Sequence, residues 1–278
     1  MRVSSLHIYP IKGVRGRELK SALVRPRGFA QDRRWLVTDE NDKFLTQRTC
    51  AKLAQIDAAP TEAGLVLSIG DTSFEVARPA SSDRRTVKIW NDEVAAVYVG
   101  GAAEKWLCGV LGRPVRLYFM DKEAARETSG NWGAPAPVSF ADGYPFLVAT
   151  TASLAALNTE IERHGADPVG MERFRPNIVI DSVDPWTEDQ WKVMKIGEAK
   201  IVLTKPCVRC EVTTKDQKTG EVMGKEPLKT LAKIRRSAHP DLNGVLFGMN
   251  GFPLEMRAIS VGDAVEIIEA RPESWPLR

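Results

Sequence analysis

Residues 203–220 read LTKPCVRCEVTTKDQKTG and hold two of the chain's four cysteines, Cys207 and Cys210. The run before them, IVLTKP, is apolar and β-branched, EVTT follows, and DQKTG is a turn signal. The pair therefore lies at the end of a strand. Four chemistries compete for it. A structural zinc site needs four protein ligands, whereas the chain has one C-x-x-C and three scattered histidines, His7, His164 and His239. A redox dithiol usually opens a helix, whose dipole lowers the thiol pKa, and nothing here starts one. A structural disulfide conflicts with a reducing compartment. The fourth option is a lone thiolate on a soft metal centre that brings its own other ligands. Pro206 stiffens the approach to such a site, and the Arg209 guanidinium favours an ionised thiol and anionic groups.

The rest of the chain narrows the setting. Its 278 residues suffice for one large or two moderate domains, with 43% hydrophobic and 27% charged residues. A net charge of +3 is too mild to argue for a nucleic acid polymer. No apolar run approaches the ~18 residues of a membrane helix. The N-terminus MRVSSLHIYPIKGVRG lacks the pattern of a signal peptide. A cytoplasmic protein without membrane attachment is the expectation.

Short strands dominate the first part: RVSSLHIYPI, RRWLVTD, KFLTQR, GLVLSIG, SFEVAR and TVKIW. GAAEKWLCGVLGR, residues 101–113, puts Ala103, Trp106, Leu107, Val110 and Leu111 at helical spacing, with Cys108 as a small buried residue. Cys50 reads the same way. PVRLYFM returns to strand. Residues 121–139 are polar and rich in Gly, Pro and Ala, which marks a domain boundary or long surface loop. Then a strand leads into a helix capped by Thr151 or Ser153, and FRPNIVID, KVMKIG, AKIVLTK, MRAISV and AVEIIE are strands. KEPLKTLAKIRR is a short basic helix with Pro227 in its first turn. The fold class is mainly β with inserted helices (α+β).

The run PCVRCEVTTKDQKTGEVMGKEPLKTLAKIRR resembles the signature of the MOSC-domain family, in its amidoxime-reducing branch. The pattern there is C-x-R-C-x-x-T-T-x-D-x-x-T-G followed by KEPL. IYPIKG at 8–13, DRRWLV at 32–37, DGYPFL at 142–147, FRPNIVI at 174–180 and VGD at 261–263 match in the same order. The resemblance implies an N-terminal MOSC-associated β-barrel domain over residues 1–120 and a MOSC β-barrel domain over 121–273.

It also implies a molybdenum cofactor, a phosphorylated pterin whose dithiolene holds the metal. Cys210 matches the family's metal ligand. Val208 and Arg209 are expected beside the cofactor. Lys12, Gly13, Arg33, Arg175 and Asn177 match contacting positions, as do Asp142, Gly143, Tyr144 and Asn250. Guanidinium forks suit phosphate, and lysine supplies a point charge. Gly13 stands where relatives carry Ser. Gly143 and Tyr144 stand where some carry small hydroxyl residues, and Tyr144 narrows the substrate mouth. The activity implied is reduction of small N-hydroxylated compounds (amidoximes, N-hydroxyguanidines, hydroxylamino-purines) by oxygen-atom abstraction at the Cys-ligated molybdenum, with Asp142 as proton carrier. The alternative within the family is a cofactor carrier or sulfur-transfer protein with a persulfide on Cys210. No G-x-G-x-x-G loop and no iron–sulfur cysteine set occurs, so a separate electron donor is expected, a ferredoxin, cytochrome or flavin reductase.

Overall fold

The first strand, Arg2–Ile8, buries Val3, Leu6 and Ile8. Strict alternation would not bury both Val3 and Leu6. A register shift between Val3 and Ser5 supplies the extra residue that keeps both on the core side. In the computed structural model, which describes residues 1–80 and 83–278, this strand pairs antiparallel with Ile178–Asp181. It thereby joins an eight-stranded sheet whose other members run from residue 146 to 270, apart from Arg17–Leu19. In spatial order the sheet is Val265–Ala270, Trp191–Ile196, Ala199–Arg209, Val245–Glu255, Phe146–Thr150, Ile178–Asp181, Arg2–Ile8 and Arg17–Leu19. Chain order and spatial grouping thus differ: the first strand lies in the sheet of the C-terminal half.

The sheet closes into a barrel where its last strand meets the first. Arg2 pairs with Ala264, and the Val265 N–H donates to the Met1 carbonyl at 3.0 Å. The barrel interior holds Leu6, Phe146, Ile178, Met194, Ile201 and Met249. Phe146–Thr150 and Ile178–Asp181 are parallel, which requires a crossover, and the helix Thr151–Arg163 provides it. The N-terminal half adds a four-stranded sheet of Trp35–Thr38, Arg116–Phe119, Asp92–Tyr98 and Arg84–Ile89. It also holds a three-stranded sheet of Asp57–Pro60, Gly64–Ile69 and Thr72–Ala77, and the helix Gly101–Leu111. This helix buries Ala103, Leu107 and Leu111, as its spacing predicts. The architecture is mainly β with three α-helices among the described residues.

Three local expectations need correction. KFLTQR forms only the isolated pairings Thr38–Phe44 and Lys43–Lys88, and the segment after them turns back on itself. The helix cap is Thr150, whose hydroxyl accepts from the Ser153 N–H at 3.2 Å. Pro227 is the N-cap of Leu228–Ile234 rather than part of its first turn. A central strand, Val245–Glu255, escapes sequence reading because Gly248, Gly251 and Pro253 interrupt it. Gly248 has φ +73°, and a Cβ there would sit 2.7 Å from the Val148 carbonyl oxygen, so the close strand approach excludes a side chain.

The cap region holds a buried acid. The Thr150 and Ser153 hydroxyls reach Glu188 Oε2 at 3.2 and 2.8 Å, while its Oε1 has no hydrogen-bond partner among the described residues. Burial pushes the Glu188 carboxyl up to about 7 against the pull of the Ser153 hydroxyl. The folded state therefore binds a proton that the unfolded state releases near pH 4.5, its ordinary value. Stability from this group is complete below that pH and is lost as pH rises through about 7. Glu188→Gln should gain stability over the parent protein between about pH 5 and about pH 8, by up to roughly 3 kcal/mol. Denaturant midpoints at the two pH values check this, and a pH-independent difference contradicts it.

Candidate active site

Tyr9 follows the first strand and is 3% exposed. Two guanidiniums pack against its ring: Arg33 at 4.4 Å and Arg175 at 4.2 Å from the centroid. Such contacts are favourable when desolvated, but two cations on one ring repel each other. Arg33 is held by the buried Asp32 carboxylate, at 2.5 Å. Burial works against the Arg33 charge, and Asp32 more than offsets it, so its pKa is raised. Among the described residues Arg175 has no carboxylate within ion-pair distance; it donates to Gln217 Oε1 at 3.0 Å. Burial lowers it to about 10, which leaves it protonated at neutral pH.

Both arginines adopt left-handed backbones, with φ +48° and +55°. Non-glycine residues rarely do so, and such strain collects at functional sites. At Arg33 both peptide groups are tied down: its N–H donates to Tyr9 O at 2.8 Å, and its carbonyl accepts from Phe140 N at 3.0 Å. Arg175 terminates the short helix Met171–Phe174. Asn177 is 1% exposed, and its amide is fully engaged. It donates to His7 O and Asp32 and accepts from Arg33 and the Leu147 N–H, all at 3.1–3.2 Å. It positions Arg33 and has little hydrogen-bonding capacity left for a ligand.

These groups form the floor of a cleft of about 880 Å³, part of it open to solvent. Every residue matched from the sequence lines it except Val208: Lys12, Gly13, Arg33, Asp142, Gly143, Tyr144, Arg175, Asn177, Arg209, Cys210 and Asn250. The Val208 side chain packs toward Gly244 instead, leaving its backbone as the contact available to a ligand. Among the described residues, five cations line the cleft (Lys12, Arg33, Arg48, Arg175, Arg209) against one carboxylate, Asp142. That excess suits an anion. Arg209 Nε is buried without a partner among the described residues, while its other nitrogens reach Phe174 O at 2.7 Å and Cys207 Sγ at 2.9 Å.

Of the two thiols, the Arg209 guanidinium contacts Cys207. Cys207 is half-buried; Cys210 is exposed and begins the short helix Glu211–Thr214. Residues 207–209 are strand and Cys210 is extended, so the two Cα atoms stand roughly 10 Å apart at about 3.3 Å per residue. A disulfide spans at most about 7 Å. No group of three or more His, Cys, Asp or Glu side chains able to hold a metal occurs among the described residues. A structural zinc site and a dithiol both lose ground to a single sulfur ligand. One exposed thiol beside a cation cluster fits a phosphorylated, metal-bearing cofactor in donor chemistry.

Sequence reasoning also missed partners. Gln47 and Gln217 exchange amide hydrogen bonds at 3.0 and 3.1 Å, and Gln47 donates to Gly13 O at 3.0 Å. Arg126, inside the loop read as surface, is 7% exposed and donates to the Ser139, Ala141 and Asp142 carbonyls. Trp90 donates to Asp142 Oδ1 at 3.2 Å. Only their proximity to quoted motifs hints at these roles. Lys12 Nζ lies 2.5 Å from the same oxygen. Desolvation raises the Asp142 carboxyl, but Lys12, Arg33 and Trp90 outweigh it and hold the pKa below the usual carboxylate range. Asp142 is therefore ionised at neutral pH. Burial lowers the pKa of its partner Lys12, against the opposing pull of Asp142.

Asp32→Asn removes the carboxylate from a buried pair and should destabilise the fold by about 3–5 kcal/mol. Chemical unfolding measures this, and a loss within about 0.5 kcal/mol, as for a surface change, contradicts it.

The MOSC N-terminal beta barrel domain family matches residues 1–114, and the MOSC domain family matches residues 135–266. The chain is 29% identical to mitochondrial amidoxime-reducing component 1 of Homo sapiens, over 96% of this chain and 82% of that protein. It is 31% identical to the Mus musculus protein of the same name, over 84% and 71%. It is also 31% identical to the molybdenum cofactor sulfurase of Danio rerio over 84% of this chain, but spans only 30% of that protein. The chain belongs to the MOSC-domain family that includes the mitochondrial amidoxime-reducing components.

Proposed function

We propose that the chain binds a molybdenum cofactor in this cleft and reduces small N-hydroxylated compounds. One observation carries the reading: four cations distant in sequence, Lys12, Arg33, Arg175 and Arg209, line a single cleft with the exposed Cys210. Arg33, Arg175 and Arg209 would hold the phosphate and pterin by charge-assisted hydrogen bonds, and Cys210 would hold the metal. Gly143 and Asn250 would contribute from the cleft wall. When bound, the cofactor supplies oxygen-atom abstraction and two-electron redox chemistry.

The chain's own residues do the rest. Overall, an N–OH substrate takes up two electrons and two protons and gives the N–H product and water. Lys12, whose pKa is lowered by burial, donates a proton at Nζ, and Asp142 orients it and assists reprotonation. Tyr144, 8% exposed, narrows the mouth and excludes water. The electrons come from a separate protein, a ferredoxin, cytochrome or flavin reductase.

Two experiments test this. Cys210→Ser should lose both bound metal and activity, because a hydroxyl replaces a soft thiolate poorly; Cys207→Ser should retain most of both. Equal losses contradict the assignment. Purified protein should not reduce an amidoxime with NADH alone and should do so with reduced viologen. Robust NADH-driven turnover by the single chain contradicts the need for a donor. A persulfide on Cys210 with no turnover under either reductant favours sulfur transfer instead.

A further inference from the structure

Trp90 breaks several rules of its local structure at once. It occupies the first position of a two-residue turn, Trp90–Asn91, between the paired residues Ile89 and Asp92. Its φ is +55°. Hairpin turns with φ above zero at that position favour glycine, and a bulky residue there is strained. The side chain is also 50% exposed, so its apolar surface gains little from the fold. Strain and exposure together are the mark of a residue retained for something other than packing.

Its orientation is nonetheless set. The Phe44 ring packs edge-on with centroids 5.0 Å apart at 66°. The Arg48 guanidinium lies 5.3 Å from the indole. The indole N–H donates to Asp142 Oδ1 at 3.2 Å, the oxygen that also binds Lys12. The indole lines the cleft. Trp90 is therefore an electron-rich aromatic surface, fixed at the cleft and hydrogen-bonded to the carboxylate of the Lys12–Asp142 pair.

We propose that Trp90 is a specificity-determining residue that stacks on the flat, conjugated group bearing the substrate's N–O bond. Planar aryl amidoximes and N-hydroxylated heterocycles are then preferred over tetrahedral N-alkylhydroxylamines. This rests on the reading of the cleft as a site for N-hydroxylated substrates. Stacking on an indole depends on a π-face and is indifferent to hydrogen-bond pattern, so it selects flat compounds as a class. A pterin is also flat, and the test separates the two ligands.

The test compares parent, Trp90→Leu and Trp90→Phe holoproteins with reduced viologen as donor. The readout is the ratio of kcat/KM for an aryl amidoxime to that for N-methylhydroxylamine. Trp90→Leu should lower this ratio about ten- to a hundredfold, and Trp90→Phe should restore most of it. Molybdenum and pterin content should match the parent in both variants. An unchanged ratio overturns the proposal. So does a Trp90→Leu protein that loses cofactor while its residual enzyme keeps the ratio, because the pterin is then what stacks. Calorimetric titration of the aryl amidoxime, which needs no turnover, should show at least about tenfold weaker binding to Trp90→Leu. Equal affinity for parent and variant overturns the proposal even if neither compound is reduced; absent turnover by the parent refutes the reductase reading separately.

Discussion

Two guanidiniums buried against one tyrosine ring, with a single buried carboxylate to share, set the character of this molecule. Asp32 neutralises Arg33, while Arg175 has no ion-pair partner among the described residues and rests on the Gln217 amide and a π-face. Burying a charge without a counter-ion is costly. The fold carries that cost at the cleft floor, where an anionic ligand would relieve it. The left-handed backbones at Arg33 and Arg175 belong to the same arrangement, since they aim both side chains at Tyr9.

The cleft exists because distant segments are locked together. The first strand enters the barrel of the C-terminal half, so the Tyr9–Gly13 segment emerges beside Arg175 and Asn177. Tyr9 secures this by donating from its hydroxyl to Pro176 O at 2.9 Å. The Gln47–Gln217 amide pair ties the loop after Phe44 to the turn after Cys210, and Gln217 in turn accepts from Arg175. Amide pairs of this kind have strict geometry and few alternatives. They hold the cations in place before any ligand arrives, which reduces the ordering cost of binding.

Strands and helices with clean periodicity were legible in the sequence. Leu107 and Leu111 on the helix Gly101–Leu111, and Val193 to Ile196 on Trp191–Ile196, show it. Val245–Glu255 was not legible, because its glycines and proline answer to backbone approach rather than to local propensity. At the site, Lys12, Arg33, Arg175 and Cys210 were named through the resemblance of their motifs to the MOSC-domain family, and all four line one cleft. Trp90, Gln47 and Arg126 were not named. Trp90 sits on a hairpin turn and Arg126 inside a loop of surface composition, and only the tertiary fold brings them to Asp142. The ionised state of Asp142 was equally hidden, since it depends on Lys12, 130 positions away.

Whether the buried cations hold an anionic molybdenum cofactor is tested most directly by its content in chain produced in a host that makes the cofactor. Molybdenum by elemental analysis and pterin by fluorescence should be near-stoichiometric in the parent protein. Both should fall steeply in Arg175→Ala and Arg33→Ala, as each variant removes charge-assisted bonds worth ~1.5–3 kcal/mol. A parent protein without molybdenum, or full retention in both variants, contradicts the role given to these residues.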